Sequence, residues 1–439
     1  MNKTIEATLL EDYTHPVRDV MWGHIYMTVK QAKLLESKPF ARLNRIMQLG
    51  PVYLVYPGAT HTRASHSIGV YHLGRRLLQN LAERGASAWL TPTGVKSFLA
   101  ACLLHDLGHF PYTHSLKELS LSSHEKLSGE IILKEPFKSL VGAAGADPEL
   151  TAAIVDKEIN IQSDEMLFYR KLLSGALDPD KLDYLNRDAR YCGVPYGAQD
   201  VDFIMSRLFP DKQRGADIDS KLIPNVESIL FSKYLMYRTV YWHRQVRAAT
   251  AMVKKALISG LESGQITGED LYNLDDTSLF TMLKEKTGCA GSLVESVLEG
   301  RIYTTAAEIS PELSCEKTVW QSQVKTCKGS CPVTIDITDI RKIGNRAQFE
   351  EKLAEQLRGI GLEIKGEDII IDIPEPVSFE TGLYVIDENR SFSDSSSAFK
   401  PQTVNAFVQT LYTIRIYINQ KFKETTREPR KPLFRGSLR

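Results

Sequence analysis

Histidines are concentrated in one part of this chain. The sequence contains ten histidines, and most of them fall within one short segment. Those residues are His61, His66, His72, His105, His109, His114 and His124. A neutral imidazole binds divalent transition metals, and the same ring transfers protons near neutral pH. The crowding predicts a site for a metal ion, for proton transfer or for both, although we expect His72 to be a helix-face residue without a catalytic role.

The motif Leu-Leu-His-Asp-Leu-Gly-His, at residues 103–109, joins an apolar stretch to an adjacent histidine and aspartate. Burying such a pair is costly unless something satisfies both groups. A divalent cation would do so, and so would hydrogen bonds within a structural pair at a helix end. Side chains at i and i+1 diverge by about 100° on a helix, so other elements must complete a metal site. His66 and Asp180 are the candidates.

The segment that contains Asp180 places charged and aromatic side chains at helical spacing. Asp180, Asp183, Tyr184 and Arg187 stand at i, i+3, i+4 and i+7, and would share one helix face. Such a face suits a metal–phosphate site, but it also suits a set of surface salt bridges. Together with the histidines, the mixed His/Asp set favours a Lewis-acidic metal and a phosphoester or phosphoanhydride substrate.

The elements that must hold these residues are mostly helical. Hydrophobic periodicity predicts a helical region from Gln31 to Leu261 after a short hairpin, and strands appear after about residue 310. We expect a mainly α fold with a short N-terminal hairpin and a smaller C-terminal α+β domain. The predicted limits are 1–275, 276–420 and a basic, flexible tail at 421–439. The predicted elements are a hairpin at 17–30, helices at 65–81, 95–107, 226–257 and 349–358, a helix that starts at Asp178-Pro179, strands at 333–337, 368–373 and 383–386, and a polar loop at 391–397.

The composition is that of a globular protein without a charge bias. Of the 439 residues, 43% are hydrophobic, and lysine plus arginine equals aspartate plus glutamate at 54 each. This balance argues against extensive nucleic-acid binding, which stays possible but is not indicated. The first residues lack a signal-peptide pattern, and no stretch has the roughly 18 apolar residues of a membrane helix. We expect a soluble, cytoplasmic protein whose Cys315, Cys327 and Cys331 are free thiols.

An ordered series of motifs resembles the HD-domain superfamily and, within it, the deoxynucleoside triphosphate triphosphohydrolases. In chain order the motifs are His15-Pro-Val, Gly23-His-Ile-Tyr26, the segments 40–50 and 56–67, His105-Asp-Leu-Gly-His-Phe-Pro-Tyr-Thr-His114, Ser123-His-Glu125 and Asp180-Lys-Leu-Asp-Tyr184. A lone His-Asp pair is a weak signal, but this ordered series is specific and spans more than half of the chain. The resemblance implies a helical HD-domain core, a divalent metal ion and a nucleotide substrate.

The resemblance also implies a role for each matching residue. The four metal ligands would be His66, His105, Asp106 and Asp180. The catalytic histidines beside the scissile phosphate would be His109 and His124. The substrate-binding residues would be Gln48, Arg63, His114, Lys181, Tyr184, Asp188, Lys233, Tyr237 and Tyr241. Within this set, Gln48 and Asp188 match residues that bind the sugar 3′-hydroxyl, and Arg63 and Lys181 match groups that hold the triphosphate.

Four positions depart from the family pattern. Lys117 stands where an aspartate belongs to the catalytic network, and Tyr237 replaces a histidine near the sugar. Asn44 and Glu36 replace an arginine and an aspartate of the regulatory nucleotide site. We therefore do not expect activation by a guanine nucleotide.

The reaction implied by the resemblance is hydrolysis at the α-phosphorus by a metal-activated water, giving deoxynucleoside and triphosphate. The metal could be manganese, iron, cobalt, nickel, zinc or magnesium, because a mixed His/Asp set accepts each of them. The resemblance further implies a homo-oligomer, either a dimer or a tetramer. Two alternatives stay open: another HD phosphohydrolase acting on a nucleoside monophosphate or a phosphodiester, and a nucleotide-binding regulator without catalysis.

Overall fold

The computed structural model describes residues 3–119, 121–286, 288–311, 319–375, 377–379 and 381–423. It divides the chain into two compact units. Unit 1 contains residues 1–300 and 375–412, and unit 2 contains 301–374 and 413–439. The predicted limits at residues 275 and 420 do not coincide with these units. One reason is that the helix at Cys289–Leu298 packs against the helix at Arg244–Glu262, within unit 1.

The first 300 residues are mainly helical. The helices are α1 (Lys3–Leu10), α2 (Val29–Leu35), α3 (Lys38–Leu43), α4 (Arg63–Glu83), α5 (Pro92–Leu104), α6 (His124–Leu133), α7 (Phe137–Ala143), α8 (Pro148–Val155), α9 (Asp164–Leu173), α10 (Pro179–Cys192), α11 (Val201–Ser206), α12 (Ile223–Met236), α13 (Arg244–Glu262), α14 (Gly268–Leu271), α15 (Asp276–Lys284) and α16 (Cys289–Leu298). The strands are β1 (Tyr13–Asp19), β2 (Gly23–Thr28), β3 (Leu208–Asp211) and β4 (Gly215–Ile218).

The rest of the chain mixes strands and helices. Residues 301–374 form β5 (Thr304–Ile309), β6 (Val319–Thr326), β7 (Gly329–Asp336), α17 (Ile337–Ile340), α18 (Ile343–Gly359) and β8 (Ile369–Asp372). Residues 375–412, which belong to unit 1, form β9 (Tyr384–Val385), β10 (Arg390–Ser391), α19 (Phe392–Ser395) and α20 (Pro401–Leu411). Strand β11 (Ile414–Ile418) belongs to unit 2.

The sheets are small and mostly antiparallel. In unit 1, β1 and β2 form a hairpin, and a second sheet has the order β10-β9-β4-β3, with β4 and β9 parallel. In unit 2, β11 lies between β5 and β8 and is antiparallel to both, while β6 and β7 form a two-stranded ribbon. These elements confirm the predicted mainly α fold with an N-terminal hairpin and a C-terminal α+β region.

The core of unit 1 is built around α4 and α5. Thr91 is the N-cap of helix α5, and its side chain accepts a hydrogen bond from Gly94 N. Pro92 lies in the first turn of the helix. The segment from Val95 to Leu104 is buried almost all round, apart from Lys96, which confirms the prediction of a core helix. Helix α4 packs against both α5 and α10. Because α4 and α10 both begin in the motifs that contain the candidate ligands, this packing brings the two motifs together.

Two local predictions hold only in part. Residues 226–257 are not one helix, because a π-helical turn at Tyr237–Tyr241 separates α12 from α13. In this turn the Trp242 N–H donates to the Tyr237 carbonyl at 2.9 Å, a bond between residues i and i+5. Residues 391–397 are not a loop throughout, because the Ser391 side chain accepts a hydrogen bond from Asp394 N and caps the short helix α19.

The remaining predictions concern membranes and cysteines. Among the described residues, no helix combines the length and the apolar character that spanning a membrane requires. Cys327 and Cys331 are free thiols, as predicted. Cys315 and residues 424–439 of the predicted tail lie outside the described residues.

Candidate metal centre and phosphate site

Three helix ends bring the predicted metal ligands together. Helix α4 begins at Arg63, so His66 lies in its first turn. Helix α10 is capped by Asp178, whose side chain accepts a hydrogen bond from Lys181 N, and Asp180 lies in its first turn. Helix α5 ends directly before the pair at residues 105–106. The N-termini of α4 and α10 carry partial positive charge, which favours bound anions.

One group of buried and partly buried side chains offers ligand atoms for a metal ion. One atom each from His66, His105 and Asp106 lie within 4.8 Å of one another. Asp180 Oδ1 lies 3.0 Å from His66 Nε2, so the fourth predicted ligand reaches the same place. His105 Nε2 is buried and makes no hydrogen bond with any described residue, although Asp106 Oδ1 is 3.3 Å away. An imidazole nitrogen without a hydrogen bond among carboxylates fits a divalent cation.

The charges around the ligands are balanced. Burial alone would raise the pKa of Asp106, but His109, His105 and Arg63 hold it well below its usual range. Arg63 Nη1 donates to Asp106 Oδ2 at 2.9 Å. Burial alone would lower the pKa of His66, but its contacts with two carboxylates raise this pKa to about 10. A proton on His66 thus balances the carboxylates, and a bound cation would displace that proton.

Three imidazoles lie next to this group. The rings of His109 and His124 stack with their centroids 3.9 Å apart. The centroid of the His114 ring lies 4.8 Å from that of His109 and 5.3 Å from that of His124. His109 Nε2 lies 3.2 Å from Asp106 Oδ1, which links the trio to the metal ligands. Burial and the charge of Arg63 hold the pKa of His109 well below its usual range. His109 is therefore neutral at pH 7 before an anion binds.

Of the residues predicted to hold phosphate, Lys181 and Tyr184 lie on α10 beside Asp180, whereas Lys233 contacts another segment. Lys181 Nζ lies 2.7 Å from Asp178 Oδ2, on the helix that also presents Asp180. Tyr184 lies on the same helix, where burial, together with nearby Tyr237 and carboxylates, raises its pKa well above the usual value. Lys233 instead donates to the Ser378 carbonyl at 2.7 Å, and its ammonium lies 5.5 Å from the Phe379 ring. Both of these contacts are with the segment 377–379.

The residues predicted to bind the sugar form a second group. Asp188 lies 2.8 Å from His61 Nε2 and accepts a hydrogen bond from the Tyr241 hydroxyl at 2.6 Å. Gln48 is next to them, because its backbone N–H donates to the His61 carbonyl at 3.0 Å. Its side-chain oxygen is buried and accepts no hydrogen bond from the residues that the structure describes. The π-helical turn places Tyr237 edge-on to Tyr241, with ring centroids 5.1 Å apart.

Three further residues, which the sequence analysis gave no individual role, contact the predicted site residues. Asp183 Oδ2 lies 2.8 Å from His66 Nδ1, and Arg187 forms an ion pair with Asp183. Both stand on the predicted helix face of Asp180, so their spacing was a signal for this role. His61, which pairs with Asp188, follows a turn at residues 57–58, and nothing in its local sequence indicated that contact.

Two parts of this chain match models of known protein families. Residues 63–187 match the HD domain family, and residues 212–329 match the HD associated region. An uncharacterized protein of Methanocaldococcus jannaschii is 29% identical over 414 residues, which cover 93% of this chain and 80% of that protein. The deoxynucleoside triphosphate triphosphohydrolase SAMHD1 of Danio rerio is 24% identical over 359 residues, covering 72% of this chain and 56% of that protein.

Other matches are shorter or concern the fold. The matched region spans about half the length of uncharacterized relatives from Mycoplasma genitalium and Bacillus subtilis, 51% and 53% respectively. Among solved structures, a phosphohydrolase from Bacteroides thetaiotaomicron has a TM-score of 0.69 at 22% identity, covering 93% of this chain and 100% of that one. At this identity the likeness concerns the fold.

Proposed function

Because this chain belongs to the HD-domain phosphohydrolases, we propose that it hydrolyses deoxynucleoside triphosphates to deoxynucleoside and triphosphate in a reaction that depends on a divalent metal. The proposal rests chiefly on one observation, the convergence of His66, His105, Asp106 and Asp180 in one group beside three histidines. The relatives from zebrafish and cattle that are named deoxynucleoside triphosphate triphosphohydrolases support the choice of substrate.

The surroundings of the ligand group suit a triphosphate. Arg63 and Lys181 provide positive charge near the ligand residues, and the N-termini of α4 and α10 add their partial charges. Each cation is already paired with a carboxylate, Arg63 with Asp106 and Lys181 with Asp178. We expect the phosphate oxygens to share or replace these pairings on binding.

The sugar group suits a deoxynucleoside with a free 3′-hydroxyl. The buried Gln48 side-chain oxygen lacks a donor among the described residues, and leaving it unsatisfied costs free energy. A 3′-hydroxyl would donate to Gln48 or to Asp188. Tyr237 and Tyr241 offer ring faces against which the sugar or base could pack.

The reaction would proceed by attack of water on the α-phosphorus. The bond between that phosphorus and the 5′-oxygen breaks, the oxygen of water stays on the triphosphate, and the 5′-oxygen takes up a proton. A divalent cation supplies Lewis acidity when bound, lowering the pKa of water toward about 7. Arg63 and Lys181 stabilise the charge that builds on the phosphate oxygens.

His109 and His124 are the candidates for the proton donor. Before substrate binds, burial and nearby positive charge keep the pKa of both rings low. An anionic phosphate beside them would favour the imidazolium. The stacked arrangement would let one ring carry this proton to the leaving 5′-oxygen while its neighbour stays neutral.

A product analysis tests the proposal. The protein is incubated with Mn²⁺ and, separately, with deoxynucleoside triphosphates, ribonucleoside triphosphates, deoxynucleoside monophosphates and bis-p-nitrophenyl phosphate. Chromatography should show inorganic triphosphate and free deoxynucleoside in equal amounts. Orthophosphate released from monophosphates would favour a phosphatase instead, and nucleotide binding without turnover would favour a regulator.

A pair of histidine variants controls for the site. His105→Ala removes a predicted ligand and should lose both metal and activity while the fold remains. His24→Ala changes an exposed residue of the hairpin and should keep both. An active, metal-binding His105→Ala protein would refute the assigned site.

Assembly belongs to the same proposal. We expect a homo-oligomer, either a dimer or a tetramer, and light scattering after size-exclusion chromatography measures this directly. A monomer with full activity would show that the site needs no partner subunit.

A further inference from the structure

The tip of the N-terminal hairpin is fixed by one carboxylate. Strand β1 ends at Asp19 and β2 begins at Gly23, whose φ is 73°. Asp19 Oδ1 accepts hydrogen bonds from the backbone N–H groups of Met21 and Trp22, at 2.8 and 2.9 Å. The position from which the Trp22 side chain leaves the turn is therefore set by Asp19.

From this tip, side chains reach a residue on α10. Trp22 Nε1 donates to Asp183 Oδ1 at 2.6 Å. Arg187 donates to both oxygens of Asp183, at 2.8 and 2.9 Å, and to Asp19 Oδ2 at 2.8 Å. Asp183 and Arg187 are each 0% exposed. A buried row of alternating charges thus connects the hairpin with α10.

Asp183 in turn contacts a predicted metal ligand. Its Oδ2 lies 2.8 Å from His66 Nδ1, while His66 Nε2 faces Asp180 Oδ1 at 3.0 Å. A carboxylate at Nδ1 keeps a proton on that nitrogen, which leaves the Nε2 lone pair for a metal ion. Each oxygen of Asp183 already takes part in two hydrogen bonds, so Asp183 orients the ligand rather than binding the metal itself.

We infer that Trp22 is a positioning residue for the metal centre. Its indole N–H fixes Asp183, Asp183 fixes the ring of His66, and the hairpin tip thereby tunes the affinity for the cation. The inference rests on the metal site of the proposed function, but it does not depend on which phosphoester is hydrolysed.

The test replaces Trp22 with phenylalanine, which keeps an aromatic ring and removes the N–H donor. Trp89→Phe is the matched control, because the Trp89 indole nitrogen is buried and has no hydrogen-bond partner among the described residues. Removing a residue that supports a metal ligand typically weakens affinity by about 10- to 100-fold. Because Trp22 supplies only one of the bonds to Asp183, we expect the dissociation constant for Co²⁺ to rise roughly threefold to tenfold. Trp89→Phe should leave it unchanged.

Co²⁺ binding is followed by competition with a chromogenic chelator, together with the visible absorption bands, which report ligand geometry. A double-mutant cycle then separates positioning from general destabilisation. Asp183→Asn should weaken Co²⁺ binding, and adding Trp22→Phe to it should cause no further loss. Unchanged Co²⁺ affinity in Trp22→Phe, or a full additional loss in the double variant, would overturn the inference.

Two further outcomes must be distinguished: a variant that does not fold, and a protein that binds metal without hydrolysing the proposed substrate. Thermal unfolding in chelator shows whether each variant is folded. If Trp22→Phe does not fold, Asp183→Asn alone must weaken Co²⁺ binding by about 10-fold or more, and unchanged binding would overturn the inference. If Co²⁺ binding follows the expected pattern but no deoxynucleoside triphosphate is hydrolysed, the proposed function fails and this inference stands. A wild-type protein that binds no divalent metal would overturn both.

Discussion

Gly69→Ala should destabilise the protein, although alanine is normally the better residue inside a helix. Gly69 lies in α4, one turn after His66, and an added Cβ would overlap Asp183 Oδ1 and come within 2.5 Å of Arg187 Nη2. The helix propensity of alanine would contribute about 0.5–1 kcal/mol of stability. Hydrogen bonds to a charged group are worth about 1.5–3 kcal/mol each. If displacing Asp183 breaks two of them, the loss of about 3–6 kcal/mol outweighs the gain.

The matched control is Gly142→Ala in α7, where an added Cβ meets nothing within 4 Å. Urea unfolding in the presence of chelator gives the free energy of unfolding of both variants and of the wild type. We expect Gly142→Ala to match or slightly exceed the wild type, and Gly69→Ala to fall well below it. Co²⁺ titration of the folded protein should also show weaker binding by Gly69→Ala. If Gly69→Ala has wild-type stability and wild-type metal affinity, the close approach of Asp183 to α4 has no energetic importance.

Three other perturbations test separate parts of the structure. Metal at about one hundred times its dissociation constant should stabilise the fold by about 2.7 kcal/mol, so chelator should lower the melting temperature, and an unchanged melting temperature would count against a metal site. Gln48→Leu should raise KM for a deoxynucleoside triphosphate by roughly tenfold, yet change KM for a 2′,3′-dideoxy analogue little; equal effects on both would contradict a 3′-hydroxyl contact. Asp276 accepts a hydrogen bond from Met47 N at 2.7 Å, and burial raises its pKa from 3.8 to about 6. Because the folded state holds this proton more tightly, wild-type stability should fall as pH rises from about 4 to 6. Asp276→Asn should then be more stable by about 1–3 kcal/mol at pH 7 and no different below pH 4, as measured by thermal unfolding.

Local signals in the sequence predicted the helix ends at which the candidate metal ligands lie. The apolar run that ends at His105 predicted a buried helix terminus, and Asp178-Pro179 predicted the start of α10. Both signals depend on a few neighbouring residues and on helix geometry, which the surrounding fold changes little. The structure places His66 near the His105-Asp106 pair and 3.0 Å from Asp180, and the role of these four residues as metal ligands stays a prediction.

The parts that the sequence did not predict depend on distant contacts. Trp22 and Asp183 are separated by 161 residues, and no periodicity within the hairpin points to that partner. In the sequence, Gly69 is a single glycine within a predicted helix. Only the structure shows that Asp183 lies too close to its Cα for a larger residue to fit. Lys233 was assigned from the family resemblance alone, and its contact with Ser378 depends on a segment 145 residues away in the sequence.

The π-helical turn at Tyr237–Tyr241 has a consequence for how this protein tolerates change in length. A π-helical turn holds one residue more than the α-helical turn that it replaces. Deleting one residue between Tyr237 and Trp242 would leave an α-helical turn, in which the Trp242 N–H would bond to the Tyr237 carbonyl as residues i+4 and i. The residues after the turn would keep nearly the same orientation, and the change would fall on the turn itself, where Tyr241 donates to Asp188. This stretch should therefore tolerate the loss of one residue better than the regular helices α12 and α13 on either side of it.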